Sequence, residues 1–266
     1  MTRRVDPRTL AARLGTAAWP VVIDVRRAAA AEASARCLPA ARWLDPGRMA
    51  EDLPAAAGRP VLVYCAHGHQ LSQAAAALLV ARGVEASVLE GGFAAWTAAG
   101  LPTIDRRAAL ALPQPSAWVT RERPKIDRVA CPWLLRRFVD PGAVIHYVEA
   151  GQTLAVAAEL GATAFDIAGA PLEHDGELCT FDTMIRHFGI DDPALAAVAR
   201  IVRAADTHRF DLAPQAAGLL AVSLGLSQLH AADDHAMLAA ALPVYDALYR
   251  WQRDAAGETH NWPAPA

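Results

Sequence analysis

Cys65 is the residue of this chain whose neighbours best suit a nucleophile. It directly follows a short apolar run and opens a loop that continues with His67, Gly68, His69 and Gln70. A loop between a buried strand and a helix can aim several backbone N–H groups at one point, where the helix N-terminus adds positive potential. Both effects favour the thiolate, which is the nucleophilic form of cysteine. The pattern therefore predicts a reactive thiol, with a small buried cysteine as the alternative.

Carboxylates and imidazoles form a second group of candidates in the other half of the chain. Glu173 and His174 lie in one cluster, and Asp206 and His208 lie in another. These side chains are common ligands of zinc and iron, so the two clusters would form a metal site if they converged. Their spacing matches no established ligand motif such as His-Glu-x-x-His. Helix caps and surface loops stay open as the alternative, and Asp206 near a predicted helix end fits it.

A basic strip is the third candidate, because residues 106–137 include eight basic and two acidic residues. Arginine presents a planar fork that holds oxyanions bidentately, whereas an ordinary basic surface is the alternative. The candidate oxyanion or substrate ligands are Arg121, Arg123, Lys125, Arg128, Cys131 and Cys179. The sequence Cys-Pro-Trp at 131–133 predicts a helix start with proline in the first turn. A thiol there is either activated by the helix N-terminus or buried and inert.

The elements around Cys65 alternate between strand and helix. Short β-branched runs at 21–23 and 61–64 predict buried parallel strands, residues 86–89 predict a third strand, and residues 72–82 predict a helix. This alternation favours an α/β domain with a central parallel sheet flanked by helices.

The rest of the chain is predicted to be mainly helical, an α+β domain. Helices are expected over about 193–205, 214–230 and 233–253, and strands near 144–148 and 164–167. Two prolines in the aperiodic stretch 106–116 indicate a linker. We therefore divide the chain into a first domain at 1–105, the linker at 106–116, a second domain at 117–255 and a frayed tail at 256–266.

Composition narrows the function classes. The 266 residues carry a net charge of −3, with +2 over residues 1–105 and −5 over residues 106–266, so nucleic acid is not an expected partner. No signal peptide and no apolar run of about 18 residues is found, so we expect a cytoplasmic protein that makes no membrane contact. In a cytoplasmic protein, the four widely spaced cysteines are expected to be free thiols.

Residues 5–104 resemble the rhodanese family. Besides the Cys65 loop, the motifs that support this resemblance are Ile-Asp-Val-Arg at 23–26, Cys-Leu-Pro-Ala-Ala at 37–41 and Leu-Glu-Gly-Gly-Phe-Ala-Ala-Trp at 89–96. The resemblance implies a rhodanese-like fold, a sulfane sulfur carried by Cys65 as a persulfide, and structural roles for Asp24 and Arg26. Gln70 stands where many rhodaneses have an arginine that helps to hold an anionic donor. Thiosulfate is therefore expected to be a poor donor, and a neutral persulfide carrier or another oxyanion is an alternative.

Residues from 118 to about 253 resemble the C-terminal domain of the ChrB-type chromate-resistance proteins. The carrying segments are residues 118–133, Cys-Thr-Phe-Asp-Thr at 179–183, Ile-Val-Arg-Ala-Ala-Asp-Thr at 201–207 and residues 211–226. The resemblance implies a role in chromate resistance, often beside a chromate efflux transporter, and favours a bound metal, zinc or iron, in this domain.

Three functions follow as hypotheses. The first is a sulfurtransferase with a small-molecule sulfur donor and acceptor, coupled to a domain that binds a metal, chromate or another oxyanion. The second is a chromate- or metal-responsive sensor that regulates a chromate transporter, with the rhodanese domain as an accessory sulfur carrier. The third is a sulfur carrier fused to a structural helical module. A homodimer is compatible with each of them.

Overall fold

The computed structural model describes residues 3–52 and 58–258, apart from the side chains of Ala50 and Asp52. Within them the strands are β1 (Arg3–Val5), β2 (Val21–Asp24), β3 (Arg36–Cys37), β4 (Ala41–Trp43), β5 (Val61–Tyr64), β6 (Ala86–Leu89), β7 (Ile104–Asp105), β8 (Ala117–Arg121), β9 (Val144–Val148) and β10 (Thr163–Ala164). The helices are α1 (Pro7–Ala11), α2 (Ala28–Glu32), α3 (Met49–Asp52), α4 (Gln70–Ala81), α5 (Gly92–Ala98), α6 (Arg106–Leu110), α7 (Asp127–Leu134), α8 (Thr153–Leu160), α9 (Thr180–His187), α10 (Pro193–Asp206), α11 (Ala216–Leu229) and α12 (Asp234–Asp254).

A five-stranded parallel sheet organises the first half, in the order β1-β6-β5-β2-β4. Every residue of the central strand β5 is buried, as expected where helices cover both faces of a parallel sheet. The predicted parallel sheet with flanking helices is confirmed. The helix after Cys65 begins at Gln70, two residues before the predicted start.

The second half combines a small parallel sheet, in the order β10-β8-β9, with the longest helices of the described residues. Its mainly helical character is confirmed, and the predicted helices match α10, α11 and α12 to within about two residues at each end. Asp233 caps α12 by accepting hydrogen bonds from two backbone N–H groups at 2.9 Å. Among the described residues, none of the helices combines the length and apolarity that spanning a bilayer requires.

The predicted helix start at Cys131 is wrong, because α7 begins at Asp127 and includes Pro132 in its interior. Proline lacks an N–H group, so the carbonyl of Arg128, four residues earlier, loses its usual helical partner. The hydroxyl of Tyr147 donates to that carbonyl at 3.1 Å. A side chain from β9 thus satisfies the helix where the proline interrupts its hydrogen bonds.

The two halves share buried contacts. One apolar core is continuous from Leu10 and Trp19 in the first half to Trp133 and Tyr249 in the second. Arg253 of α12 also donates to the carbonyl of the last residue of α1 and to two carbonyls that follow it, at 2.9–3.1 Å. The predicted linker at 106–116 contains the short helix α6, and the last eight residues of the predicted tail lie outside the described residues. The domain boundaries stay predictions.

Candidate functional site

Cys65 lies directly after the carboxyl end of β5, in the loop that leads into α4. The residue is only 6% exposed. Its Sγ lies 3.3 Å from the hydroxyl of Ser72, in the first turn of α4. The sulfur is therefore nearly enclosed and lies beside a hydrogen-bonding group.

The surroundings of Cys65 favour its thiolate. Burial by itself raises the pKa of the thiol, but hydrogen bonds from the Ser72 hydroxyl and from the backbone N–H groups of His67, Ser72 and His69 oppose it and lower the pKa below its usual value. Backbone donors that converge on one point act as an anion-binding nest. The residue thus has the electronic environment of a nucleophile.

Two glycines allow the loop to adopt its shape. Gly68 has φ +70°, and a Cβ on Gly92, which has φ +61°, would lie 2.4 Å from the carbonyl oxygen of Cys65. The backbone N–H of Phe93 donates to that same carbonyl at 2.9 Å. Gly92, the first residue of α5, is therefore required for the close approach of α5 to the cysteine loop.

Asp24 and Arg26 form a buried ion pair behind this region. The guanidinium donates to both carboxylate oxygens at 2.7–3.0 Å, and the two side chains are 1% and 2% exposed. The guanidinium also lies 4.2 Å from the ring centroid of Phe93. Because Phe93 holds the Cys65 carbonyl, the pair supports the strand and helix ends that shape the loop.

The rim of the loop carries no fixed positive charge of its own. His67, His69 and Gln70 are exposed, and the two imidazole centroids lie 6.2 Å apart. Gln70 opens α4, at the position where many rhodaneses have an arginine. Positive potential near the sulfur therefore comes from the backbone N–H groups and the helix N-terminus.

Replacement of Ser72 tests the electrostatics of Cys65. Ser72→Ala should raise the pKa of the thiol, because one donor to the thiolate is lost, and slow alkylation by iodoacetamide at pH 7 by about tenfold. The measurement is the alkylation rate from pH 5 to 10. Ser87→Ala on β6 is the control, since its hydroxyl donates to the carbonyl of Val61. Identical pH profiles for wild type and Ser72→Ala would contradict the assigned role.

A second cluster of ionisable groups forms in the other half of the chain. Asp127 begins α7, Asp206 ends α10, and His174 lies on the loop before α9. His174 Nε2 lies 3.5 Å from Asp127 Oδ2 and 3.2 Å from Asp206 Oδ2. One possible ligand atom from each residue lies within 4.8 Å of the others. The packing of α7 against α10 brings together residues that are 79 positions apart in the chain.

Asp166 adjoins this cluster and connects it to two arginines. Its Oδ1 accepts the hydroxyl of Thr180 at 3.0 Å and lies 3.6 Å from His174 Nε2. Its Oδ2 lies 3.2 Å from Arg121 and 3.4 Å from Arg128. The arrangement places two guanidiniums beside three carboxylates and one imidazole.

The charges in this cluster perturb one another. The hydrogen bond to Asp127 raises the pKa of His174 to about 9, Asp206 and Asp166 add to the effect, and partial burial opposes it. Burial raises the pKa of Asp206 to about 7, Asp127 and Asp166 add to this rise, and His174 opposes it. The carboxylates therefore favour the protonated form of His174 at neutral pH. Strongly perturbed groups beside a cleft are typical of functional sites.

Two of the four predicted metal ligands lie in this cluster, His174 and Asp206. Glu173 instead accepts a hydrogen bond from the backbone N–H of Gly169 at 2.9 Å. His208 is exposed and contacts the ring of Phe210 edge-on at 4.8 Å between centroids. The structure does not bring Glu173 or His208 into the cluster.

The four basic candidate ligands do not all lie at the cluster. Arg121 and Arg128 lie at the cluster through Asp166. Arg123 is exposed, and its backbone N–H donates to Asp234 at 2.9 Å, while Lys125 is half-buried. Only the first two are placed to hold an anion at this site.

The cysteines of the second half are poor nucleophiles. Cys131 and Cys179 are fully buried, and burial raises the pKa of both thiols far above the usual value. In the first half, burial likewise raises the pKa of Cys37 to about 12. Among the described cysteines only Cys65 has a lowered pKa.

Sequence reasoning missed Asp127 and Asp166 as site residues. Asp127 stands in the first turn of an apolar helix. An acidic residue there is commonly explained by its favourable interaction with the helix dipole, so it did not indicate a site. Asp166 follows the carboxyl end of β10, the edge of a parallel sheet where ligands commonly bind. Its φ of +53°, unusual for a residue other than glycine, is visible only in the structure.

Comparisons with known proteins match both halves. A family model of the ChrB C-terminal domain matches residues 118–252, and a model of the rhodanese-like domain matches residues 6–99. Protein ChrB from Cupriavidus metallidurans is 35% identical over 133 residues, which are 50% of this chain and 39% of that protein. The match therefore spans well under half of the relative's length.

Solved structures are similar to the first half. A thiosulfate sulfurtransferase from Pseudomonas aeruginosa is 32% identical over 40% of this chain and 20% of that chain, with a TM-score of 0.33. A rhodanese homolog from the extremely thermophilic bacterium Thermus thermophilus is 37% identical over 35% of this chain and 98% of that chain, with a TM-score of 0.29. The chain belongs to the family of the ChrB C-terminal domain, and it carries a rhodanese-like domain before that domain.

Proposed function

We propose that the protein is a sulfurtransferase that takes up a sulfane sulfur on Cys65 and acts in chromate resistance. The observation that carries this proposal is the position of Cys65, which lies nearly buried between the carboxyl end of β5 and the N-terminus of α4, with its Sγ 3.3 Å from the Ser72 hydroxyl. This environment lowers the pKa of the thiol. The same donors suit the persulfide, which is also an anion at neutral pH. The same loop can therefore stabilise both the Cys65 thiolate and the Cys65 persulfide.

The reaction divides into two displacements. The Cys65 thiolate attacks the sulfane sulfur of the donor, so that a new S–S bond forms and the donor leaves with the electron pair of the broken bond. An acceptor thiolate then attacks the terminal sulfur of the persulfide. Cys65 leaves as the thiolate, and no net oxidation or reduction is required.

The rim of the loop bears on the class of donor. A dianion such as thiosulfate would benefit from a guanidinium at the loop, and Gln70 supplies none. A donor whose reacting sulfur group carries less charge, such as a low-molecular-weight persulfide, loses less binding energy when glutamine stands in place of arginine. We infer that such a persulfide is used in preference to thiosulfate.

The role in chromate resistance rests on membership of the ChrB domain family. Thiol and persulfide chemistry suits the oxidative stress that chromate imposes. The apolar core shared by the two halves supports a coupled function rather than two independent modules.

Mass spectrometry tests the proposal. The reduced full-length protein, incubated with glutathione persulfide or thiosulfate, should gain the mass of one sulfur atom, and the peptide that contains Cys65 should carry it. Glutathione persulfide should load faster than thiosulfate. Protein whose thiolate is first blocked with iodoacetamide is the control. No sulfur uptake from either donor, or uptake on another cysteine, would refute the proposal.

A further inference from the structure

We propose that Asp127, His174 and Asp206 bind one divalent transition-metal ion, with coordination positions left open toward Arg121 for an oxyanion. This inference goes beyond sulfur transfer, since none of these residues belongs to the Cys65 loop. It concerns a second chemical centre, in the ChrB domain.

The separations of the three side chains suit ligands of one ion. Two ligands at about 2.1 Å from a common metal lie about 3–3.5 Å apart. His174 Nε2 lies 3.5 Å from Asp127 Oδ2 and 3.2 Å from Asp206 Oδ2. Only a small inward movement is needed for the three atoms to share an ion.

An unsatisfied oxygen on Asp127 independently indicates a ligand. The side chain is fully buried, and its Oδ2 accepts the backbone N–H of Thr180 at 2.6 Å. Its Oδ1 has no hydrogen-bond partner among the described residues. Buried carboxylate oxygens are normally paired, so the orphan needs an explanation. A metal ion bound to the Asp127 carboxylate would compensate for the missing hydrogen bond to its Oδ1.

The donor set limits the identity of the ion. Two carboxylates and one imidazole suit Zn²⁺, Mn²⁺ or Fe²⁺ rather than soft ions that prefer thiolates. Three protein ligands leave positions open, which is the pattern of catalytic rather than structural sites.

The charges point to an anion as the further ligand. Three carboxylates, those of Asp127, Asp166 and Asp206, face two guanidiniums, so the cluster with a divalent ion and a neutral imidazole carries a formal charge of +1. Arg121 also has a buried Nε without a partner among the described residues. It lines a cavity of about 460 Å³ together with Asp166 and His174. An oxyanion in this cavity would meet both the metal and the guanidinium.

Metal titration of the full-length protein tests the site. Metal-free protein should bind one equivalent of Mn²⁺, measured by electron paramagnetic resonance of free Mn²⁺, and Zn²⁺ should displace it. Asp206→Asn and His174→Gln should weaken binding by at least about 100-fold, more than the loss of an outer-shell partner. Asp127→Asn should act likewise, and the more exposed Asp206 and His174 keep the test valid if Asp127→Asn fails to fold.

Matched controls separate the ligands from their neighbours. Glu173→Gln and His208→Gln should bind Mn²⁺ like wild type, because neither side chain lies in the cluster. Cys65→Ser should also bind normally, so failure of sulfur transfer and failure of metal binding are distinguishable. Absence of stoichiometric binding by wild type, or wild-type affinity in both Asp206→Asn and His174→Gln, would overturn the metal site.

The oxyanion is tested with the Co²⁺-loaded protein and sulfate, a tetrahedral dianion. Sulfate should change the visible d–d spectrum at saturable concentrations. Arg121→Gln should weaken sulfate binding by about tenfold without changing Co²⁺ affinity, since one charge-assisted contact is lost. A spectrum that does not respond to sulfate, or an unchanged sulfate affinity in Arg121→Gln, would overturn the oxyanion position.

Discussion

Cys65→Ser is expected to reduce sulfur transfer by at least about 1,000-fold, on the scale of nucleophile loss in covalent enzymes. Serine keeps the size of the side chain, but its hydroxyl does not ionise near neutral pH and cannot form a persulfide. The surrounding donors belong to the backbone and to Ser72, so the loop should keep its shape. Steady-state transfer from glutathione persulfide to a thiol acceptor measures the effect, and circular dichroism checks the fold.

Cys37→Ala is the matched control for this variant. Cys37 lies in the same half of the chain and is also buried, but burial raises the pKa of its thiol to about 12. Its removal should leave sulfur transfer within about twofold of wild type, since a protonated thiol is not the nucleophile. Retained turnover in Cys65→Ser, or its loss in Cys37→Ala, would show that Cys65 does not carry the sulfur.

Asp24→Ala is expected to lower the free energy of unfolding by about 3–5 kcal/mol, the usual cost of breaking a buried ion pair. The change removes the carboxylate and leaves the Arg26 guanidinium, only 2% exposed, without its charged partner. The remaining contacts of Arg26, one with the carbonyl of Arg36 at 3.1 Å and one with the ring of Phe93, do not neutralise its charge. Urea unfolding of wild type and variant measures the difference.

Glu85→Ala is the control for the buried pair. Glu85 forms an ion pair with Arg3 at 3.9 Å in the same half of the chain, but both side chains are about 70% exposed. Exposed pairs contribute less than about 1 kcal/mol, so the urea midpoint should hardly move. Equal losses from Asp24→Ala and Glu85→Ala would show that burial of the first pair does not determine its contribution.

Local patterns were sufficient for the rhodanese-like half. The short, mostly apolar runs around Val22, Leu62 and Val88 form parallel strands because such segments can be buried on both faces of a sheet. The loop after β5 is also a local feature, since Cys65 and its N–H donors fall within eight consecutive residues. A site built from one short segment is readable in the sequence.

The helix α7 shows where local reasoning failed. Proline normally marks the first turn of a helix, so Pro132 indicated a start at Cys131, whereas α7 begins four residues earlier, at Asp127. The interior position is tolerated because Tyr147, on a distant strand, donates to the carbonyl that proline leaves free. No sequence pattern near Pro132 indicates that Tyr147 supplies this hydrogen bond.

Three features could be predicted from the sequence: the α/β organisation of the first half, the position of Cys65 between a buried strand and a helix, and the helical character of the second half. Each depends on periodicity, turn chemistry or groups close together in the chain. The acidic residues that surround His174 could not be predicted, because folding brings them together from distant segments. Asp127 and Asp206 meet because α7 packs on α10, whereas Glu173, next to His174 in the chain, turns toward the backbone of Gly169. Contacts between distant segments depend on how whole helices pack, and residue type and spacing do not encode that packing in any local form.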